Sequence, residues 1–362
     1  MSVISGDVAE VSSPRVTVRP STAPEFPTVF GRELLGELSS FAHRPYLVVT
    51  MPDLWPSLEH FFDSNLAGVH MVSSLDLETL TAQVEGLPTF ASVIGLGGGQ
   101  AMDVAKYISW TRRTPLFQTP TAMTTNAPFS HRALLRTGGK AVALGWAVPE
   151  GVYVDFDVIR TAPGLLNRSG VCDVLCYHTA HYDWKLAHDM GKEERRWPYD
   201  EHLVAEARLR LDSVLANLDE IRAVSDEGIR TLMLAHRWGG TAFHNAGWNA
   251  RHMDGVDHCY LYCLEYVTGK HFIHGQAVGL GMYVGAELQH NEPDLVLDAL
   301  RRTGVDIRPE AMGITWDEAA TAMRQLAWYV RFADLWYTVA DARPVTDELV
   351  ERIREKLYAT FD

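Results

Sequence analysis

"TFASVIGLGGGQAMDVAKYISW", residues 89–110, decides the architecture. Residues 89–96 form a short apolar run that reads as a buried strand, and residues 100–111 carry helical spacing. Between them stand Gly97, Gly98 and Gly99. Glycine lets the backbone approach a ligand with no Cβ in the way. A helix that begins near Gln100 aims its free N–H groups and the positive end of its dipole at whatever fills the turn. Strand, glycine turn and helix together make a phosphate-binding shape. The spacing is G-G-G-x-x-x-D-x-x-K, with Asp103 and Lys106, and not the G-x-G-x-x-G of the common dinucleotide fingerprint. Lys106 reads as a charge on the helix surface.

Outward from this unit the first half keeps the same rhythm. Residues 46–52 and 69–74 read as strands, with helical spacing over 54–65 and 75–85, and residues 115–121 as a further strand. Ser73 and Asp76 offer a capping box for the helix at 75–85. Alternation of this kind predicts a parallel sheet with helices on both faces. Residues 140–159 add strands as a hairpin or edge crossing, and after residue 165 only helical periodicity remains. The expected division is a flexible extension rich in Ser, Pro and Thr over 1–25, an α/β dinucleotide-binding domain over 26–160, and an all-α domain over 161–362.

Bulk properties narrow the function. The chain has 362 residues, 47% of them apolar, and a net charge of -14, which argues against nucleic acid or an anionic membrane as partner. No apolar run reaches the roughly 18–20 residues that span a bilayer, and the N-terminus lacks the form of a signal peptide. A cytoplasmic enzyme for a small molecule is the expectation. The four cysteines, Cys172, Cys176, Cys259 and Cys263, form two C-x-x-x-C pairs, which suit buried helix faces better than a zinc knuckle.

Three residues stand out as a candidate metal set. Asp173 opens one predicted helix, His258 lies in another and His274 starts a third. A catalytic zinc or iron(II) ion takes imidazoles and a carboxylate and keeps one position open. Spacing alone carries no metal signature here.

The order of "GLGGGQAMDVAK", "TPTAMTTNAPFS", "PEGVYVDFDVI", "SGVCDVLCYHTAHYDW", "DGVDH" and "IHGQAVGLG" resembles the metal-dependent alcohol dehydrogenase superfamily, which holds glycerol dehydrogenases, sn-glycerol-1-phosphate dehydrogenases and dehydroquinate synthases. Asp183–Trp184 and an arginine seven residues before His258 look most like the glycerol-1-phosphate branch. The resemblance implies a Rossmann-like N-terminal domain, a helical C-terminal domain and an active site in the cleft between them. It implies a divalent metal held by Asp173, His258 and His274, with zinc the default and iron or nickel the alternatives. NAD or NADP would lie on Gly97, Gly98, Gly99 and Asp103, lined by Thr119, Thr121 and Thr124. Asp53, after the strand at 46–52, suits a ribose hydroxyl. The implied reaction interconverts an alcohol and a carbonyl on a small polyol, hydroxyketone or its phosphate, in a protein expected to be a homodimer.

Departures from the family pattern matter. Asn126 stands where the family carries a substrate-contacting aspartate, so it keeps hydrogen bonding and loses charge. Lys140 and Arg251 are candidate groups for a substrate phosphate or carboxylate, and Arg132 joins them in a resemblance to dehydroquinate synthases. Those cyclases use glutamate where Asp173 stands, lysine at Cys176 and histidine at Tyr262. A cyclase, or a non-catalytic nucleotide-binding relative, is the alternative.

Overall fold

The computed structural model describes residues 26–138 and 140–361, so the expected N-terminal extension lies outside the described residues. The described chain divides into two compact units. Unit one runs to Asn167 and includes Gly240–Asn245; unit two holds Arg168–Gly239 and the remainder from Ala246.

Unit one is built on a six-stranded parallel sheet in the order β1-β8-β5-β4-β2-β3. The strands are β1 (Thr28–Gly31), β2 (Tyr46–Thr50), β3 (Leu66–Met71), β4 (Ser92–Gly97), β5 (Leu116–Pro120) and β8 (Gly151–Asp155). Alternate side chains serve two cores. Leu47, Val49, Val93 and Leu116 pack on one face with α1 (Leu77–Glu85) and α2 (Gly99–Arg112). Tyr46, Val48, Ile94 and Phe117 pack on the other with Leu35, Leu38 and Val158. This period-two division puts apolar residues on both sides of every central strand, which is why these strands read as continuous apolar runs.

Two details differ from the sequence reading. The cap of α1 is Asp76, whose carboxylate accepts from the Thr79 amide, while Ser74 Oγ accepts from the Asp76 amide; Ser73 does not cap the helix. Residues 140–159 do not form one hairpin. β7 (Lys140–Leu144) pairs antiparallel with β6 (Ala133–Thr137), and β8 enters the main sheet between β1 and β5.

Unit two is helical, and its core includes α3 (Cys172–Leu175), α4 (Tyr177–Asp189), α5 (Glu201–Ala216), α6 (Asp226–Asn245, whose last turn belongs to unit one), α7 (Val256–Thr268) and α8 (His274–Gln289). All four cysteines are buried free thiols. Toward the C-terminus Leu326, Tyr329 and Val330 are buried, while Trp328 and Phe332 stack on each other at the surface. Among the described residues, no helix is long and apolar enough to cross a membrane.

Candidate functional site

The glycine turn closes β4 at the carboxyl end of the sheet, where chain order reverses between β4 and β2. Ligands of open parallel sheets bind at such a switch point. Gly97 has φ +154, and a Cβ there would lie 2.8 Å from Ala101 Cβ, so only glycine lets α2 start this close to its strand. Gly98 is the N-cap of α2 and has no side chain to cap it. The first amides of α2 therefore point outward as donors, with the dipole behind them. The Thr121 amide donates to Gly97 O (2.9 Å), and Thr124 Oγ1 lies 3.6 Å from where a Gly98 Cβ would stand, so both threonines border the turn. Met51 and Leu54 also border Gly97, which brings the exposed Asp53 between them to its rim. Thr119 is enclosed within β5 opposite Leu96.

Lys106 corrects the sequence reading, because it is 1% exposed. Its ammonium donates to Asp103 Oδ1 (2.8 Å), Ser130 Oγ (2.7 Å) and Arg132 O (2.7 Å). All three ammonium hydrogens thus have acceptors, the condition for keeping a buried lysine charged. Burial lowers the Lys106 ammonium and raises the Asp103 carboxyl, and each partner opposes the shift of the other. The pair pins α2 to the segment ahead of β6. On that segment Asn126 is half-buried, and its carbonyl accepts from the Phe129 and Ser130 amides in a turn. Lys140 is the half-buried first residue of β7, opposite Thr137.

In unit two, Asp173, His258 and His274 converge from α3, α7 and α8. His274 Nε2 lies 2.9 Å from Asp173 Oδ1 and 3.3 Å from His258 Nε2, and His258 Nε2 lies 3.9 Å from the same carboxylate oxygen. Their donor atoms fall within 4.8 Å of one another. The set suits a zinc-like or iron-like divalent cation, and the 25% exposure of the His274 side chain leaves one side open. Burial favours a neutral Asp173, yet the imidazoles of His274 and His258 overcome it and hold the carboxyl at about 2. Burial disfavours charge on His258, but Asp254, Asp257 and Asp173 push it up to about 10. Acidic groups gathered around two imidazoles favour positive charge at this spot, as a candidate cation site requires.

The surrounding frame was not legible as function. Asp257 is fully buried beside His258. Asp183 on α4 accepts from the Val256 amide (2.7 Å) through Oδ2, and from the Val339 amide (2.8 Å) and Gln289 Nε2 (3.1 Å) through Oδ1. Burial nonetheless pushes its carboxyl up to about 7. Gly255 caps α7, and a Cβ there would lie 2.8 Å from Ala180 Cα, so glycine is what seats the start of α7 against α4. Arg251 corrects the substrate expectation. Its guanidinium is 0% exposed and donates to Tyr337 O (2.8 Å) and Asp183 O (3.4 Å), with Glu194 at 3.5 Å and the Trp336 ring beneath it. It braces the frame rather than offering charge to a ligand.

Known proteins share this chain's sequence pattern and fold. The sequence pattern of the iron-containing alcohol dehydrogenase family matches residues 58–163. The glycerol-1-phosphate dehydrogenase [NAD(P)+] of Methanoculleus marisnigri is 30% identical over 281 residues, 78% of this chain and 76% of that protein. The enzyme of the same name from Methanothermobacter thermautotrophicus is 29% identical, over 74% of this chain and 75% of its own. In fold, the chain is similar to the crystal structures of a probable glycerol dehydrogenase from Sinorhizobium meliloti (TM-score 0.67, 19% identity, 93% of this chain and 98% of that one) and of glycerol dehydrogenase from Schizosaccharomyces pombe (TM-score 0.66, 16% identity, 94% and 92%). With a glycine turn between strand and helix, a convergent carboxylate–imidazole set and a relative matched over most of both lengths, the chain belongs to the iron-containing alcohol dehydrogenase family of NAD(P)-linked oxidoreductases.

Proposed function

We propose that this enzyme interconverts a small polyol, or its phosphate, with the matching hydroxyketone, with dihydroxyacetone phosphate and glycerol 1-phosphate as the leading pair. The observation that carries the reading is the convergence of Asp173, His258 and His274. Unit one supplies the cofactor groups and unit two the metal donors. When bound, a divalent cation acidifies a substrate hydroxyl or polarises a carbonyl, and the nicotinamide exchanges the hydride.

The chain's own residues do the holding. Asp173 contributes one negative charge and the two histidines none when neutral, so the donor set leaves a divalent cation electrophilic. The amides at the start of α2 take the pyrophosphate, Asp53 a ribose hydroxyl, and Thr121 and Thr124 border the dinucleotide. Asp103 acts here through Lys106, as a brace of that helix. Asn126 and Lys140 are the proposed substrate groups, one by hydrogen bonding and one by charge. A homodimer in the cytoplasm completes the reading, supported by the prevalence of two-fold assemblies.

The test is oxidation of NADH and of NADPH with Zn²⁺ or Fe²⁺ supplied, comparing dihydroxyacetone phosphate, dihydroxyacetone and short aldehydes. Turnover that His258→Ala abolishes, with the phosphate ester preferred, is the expected result. Cofactor binding without turnover on any of these substrates would overturn the proposed substrate class.

A further inference from the structure

We propose that Asp257 is a positioning residue for metal binding, whose buried carboxylate fixes both the tautomer and the rotation of the His258 ring. This rests on the reading of Asp173, His258 and His274 as the metal donors. Asp257 is 0% exposed and every side of its carboxylate is held. Oδ1 lies 2.6 Å from His258 Nδ1 and accepts from the His258 amide (2.8 Å) and the Gly255 amide (3.2 Å). Oδ2 accepts from the Thr179 hydroxyl (2.7 Å) on α4.

The consequence follows from donor and acceptor identity. Oδ1 already accepts from two backbone amides and accepts from His258 Nδ1–H as well, so when a cation displaces the second ring proton the lone pair it meets is the one on Nε2. That lone pair is on the side of Asp173 and His274. A ring turned the other way, or protonated on Nε2, would offer a cation nothing. Asp254 does not share the task, since its nearest oxygen lies 3.7 Å from Nδ1, beyond hydrogen-bonding distance. Thr179 and the two amides prevent the carboxylate from rotating, so the ring inherits the rigidity of two helices. A partner of this kind orients a metal-binding imidazole and raises its basicity.

Three variants test the role. Asp257→Ala removes the acceptor and strands Thr179 and two amides, so its thermal unfolding is measured first. Asp257→Asn keeps the shape and the acceptor and removes only the charge: its amide oxygen accepts from the three Oδ1 partners, and its NH₂ faces a Thr179 hydroxyl that turns to accept. Asp257→Leu, which removes the acceptor and fills the space, carries the test if the alanine variant does not fold. Metal-free protein is titrated with Zn²⁺ against a chromophoric chelator, and with Co²⁺ while its visible absorption is followed. His258→Ala is the control.

The expected result is a loss of Zn²⁺ affinity of about 10–100-fold and an altered Co²⁺ spectrum in the folded variant that lacks the acceptor, Asp257→Ala or Asp257→Leu, with a smaller loss in Asp257→Asn. His258→Ala should lose more. Wild-type affinity and spectrum in the folded variant that lacks the acceptor, beside a large loss in His258→Ala, would overturn the positioning role and leave the metal site standing. Wild-type affinity in His258→Ala would overturn the metal site itself, and the positioning role with it.

Discussion

Replacing Lys106 by methionine leaves the Asp103 carboxylate buried without its partner. Methionine has nearly the lysine's shape, so packing along α2 survives and the change is electrostatic. Three contacts at 2.7–2.8 Å disappear, to Asp103, Ser130 and Arg132. Breaking a buried pair from one side costs about 3–5 kcal/mol, because an uncompensated charge remains. At about 2–4 °C per kcal/mol, the unfolding transition should fall by roughly 6–20 °C. Burial already holds the Asp103 carboxyl above its ordinary range, and without Lys106 it rises further. A carboxyl whose folded pKa exceeds its unfolded one contributes stability at pH below the unfolded value, and loses it as pH rises through the folded value. The deficit of Lys106→Met should therefore be small at acidic pH and greatest at neutrality. Asp103→Asn/Lys106→Met should recover most of the loss and flatten its pH dependence. The assay is thermal unfolding by circular dichroism across pH, with cofactor affinity measured alongside because α2 carries the glycine turn. A Lys106→Met transition within 2 °C or so of wild type at neutral pH, which would place the cost under about 1 kcal/mol, would refute the buried-pair reasoning.

Other predictions concern separate parts of the molecule. Gly97→Ala forces a Cβ toward Ala101 at a backbone angle that side chains avoid; strain of about 1–3 kcal/mol should weaken NAD(H) binding by roughly 5–150-fold in a fluorescence titration, and unchanged affinity would dissociate the turn from the cofactor. His131, His181 and His252 are buried, and burial lowers each to about 3. The unfolded chain takes up these protons first, so stability is complete above pH of about 6.5 and falls below it, by up to about 1.4 kcal/mol per pH unit for each histidine. Asp183, raised to about 7, works in the opposite direction. Thermal melts between neutral and mildly acidic pH should show the net decline, and His252→Gln should reduce its slope. Asn126→Asp should raise turnover of neutral glycerol-type substrates if the missing carboxylate is what excludes them, and steady-state rates on glycerol and dihydroxyacetone decide this.

Where the chain carried local signals, the fold could be read in advance. β4, its three glycines and α2 announce themselves because backbone freedom and helix start fall in consecutive residues. β1 could not be read, since "TVFG" becomes a strand only by pairing with β8, far along the chain. β6, one residue longer, depends on β7 in the same way. Lys106 looked like a surface charge because sequence shows periodicity and not what covers a face; β6 and the residues before it bury that side of α2. The convergence of Asp173, His258 and His274 likewise depends on three helices meeting, and family motifs rather than spacing pointed to it. Arg251 illustrates the reverse error, a basic residue near the right motif whose acceptors are backbone carbonyls supplied from distant segments.

Those distant segments bear on the order in which the protein is made. Asp183 reaches forward 73 residues to Val256 and 156 residues to Val339, and Arg251 reaches 86 residues to Tyr337. On the ribosome His258 is synthesised long before residues 337–339, yet the frame that seats its helix is incomplete until they leave the exit tunnel. A nascent chain stalled before Tyr337 carries Asp173, His258 and His274 but lacks the Val339 amide that meets Asp183 and the Tyr337 carbonyl that meets Arg251.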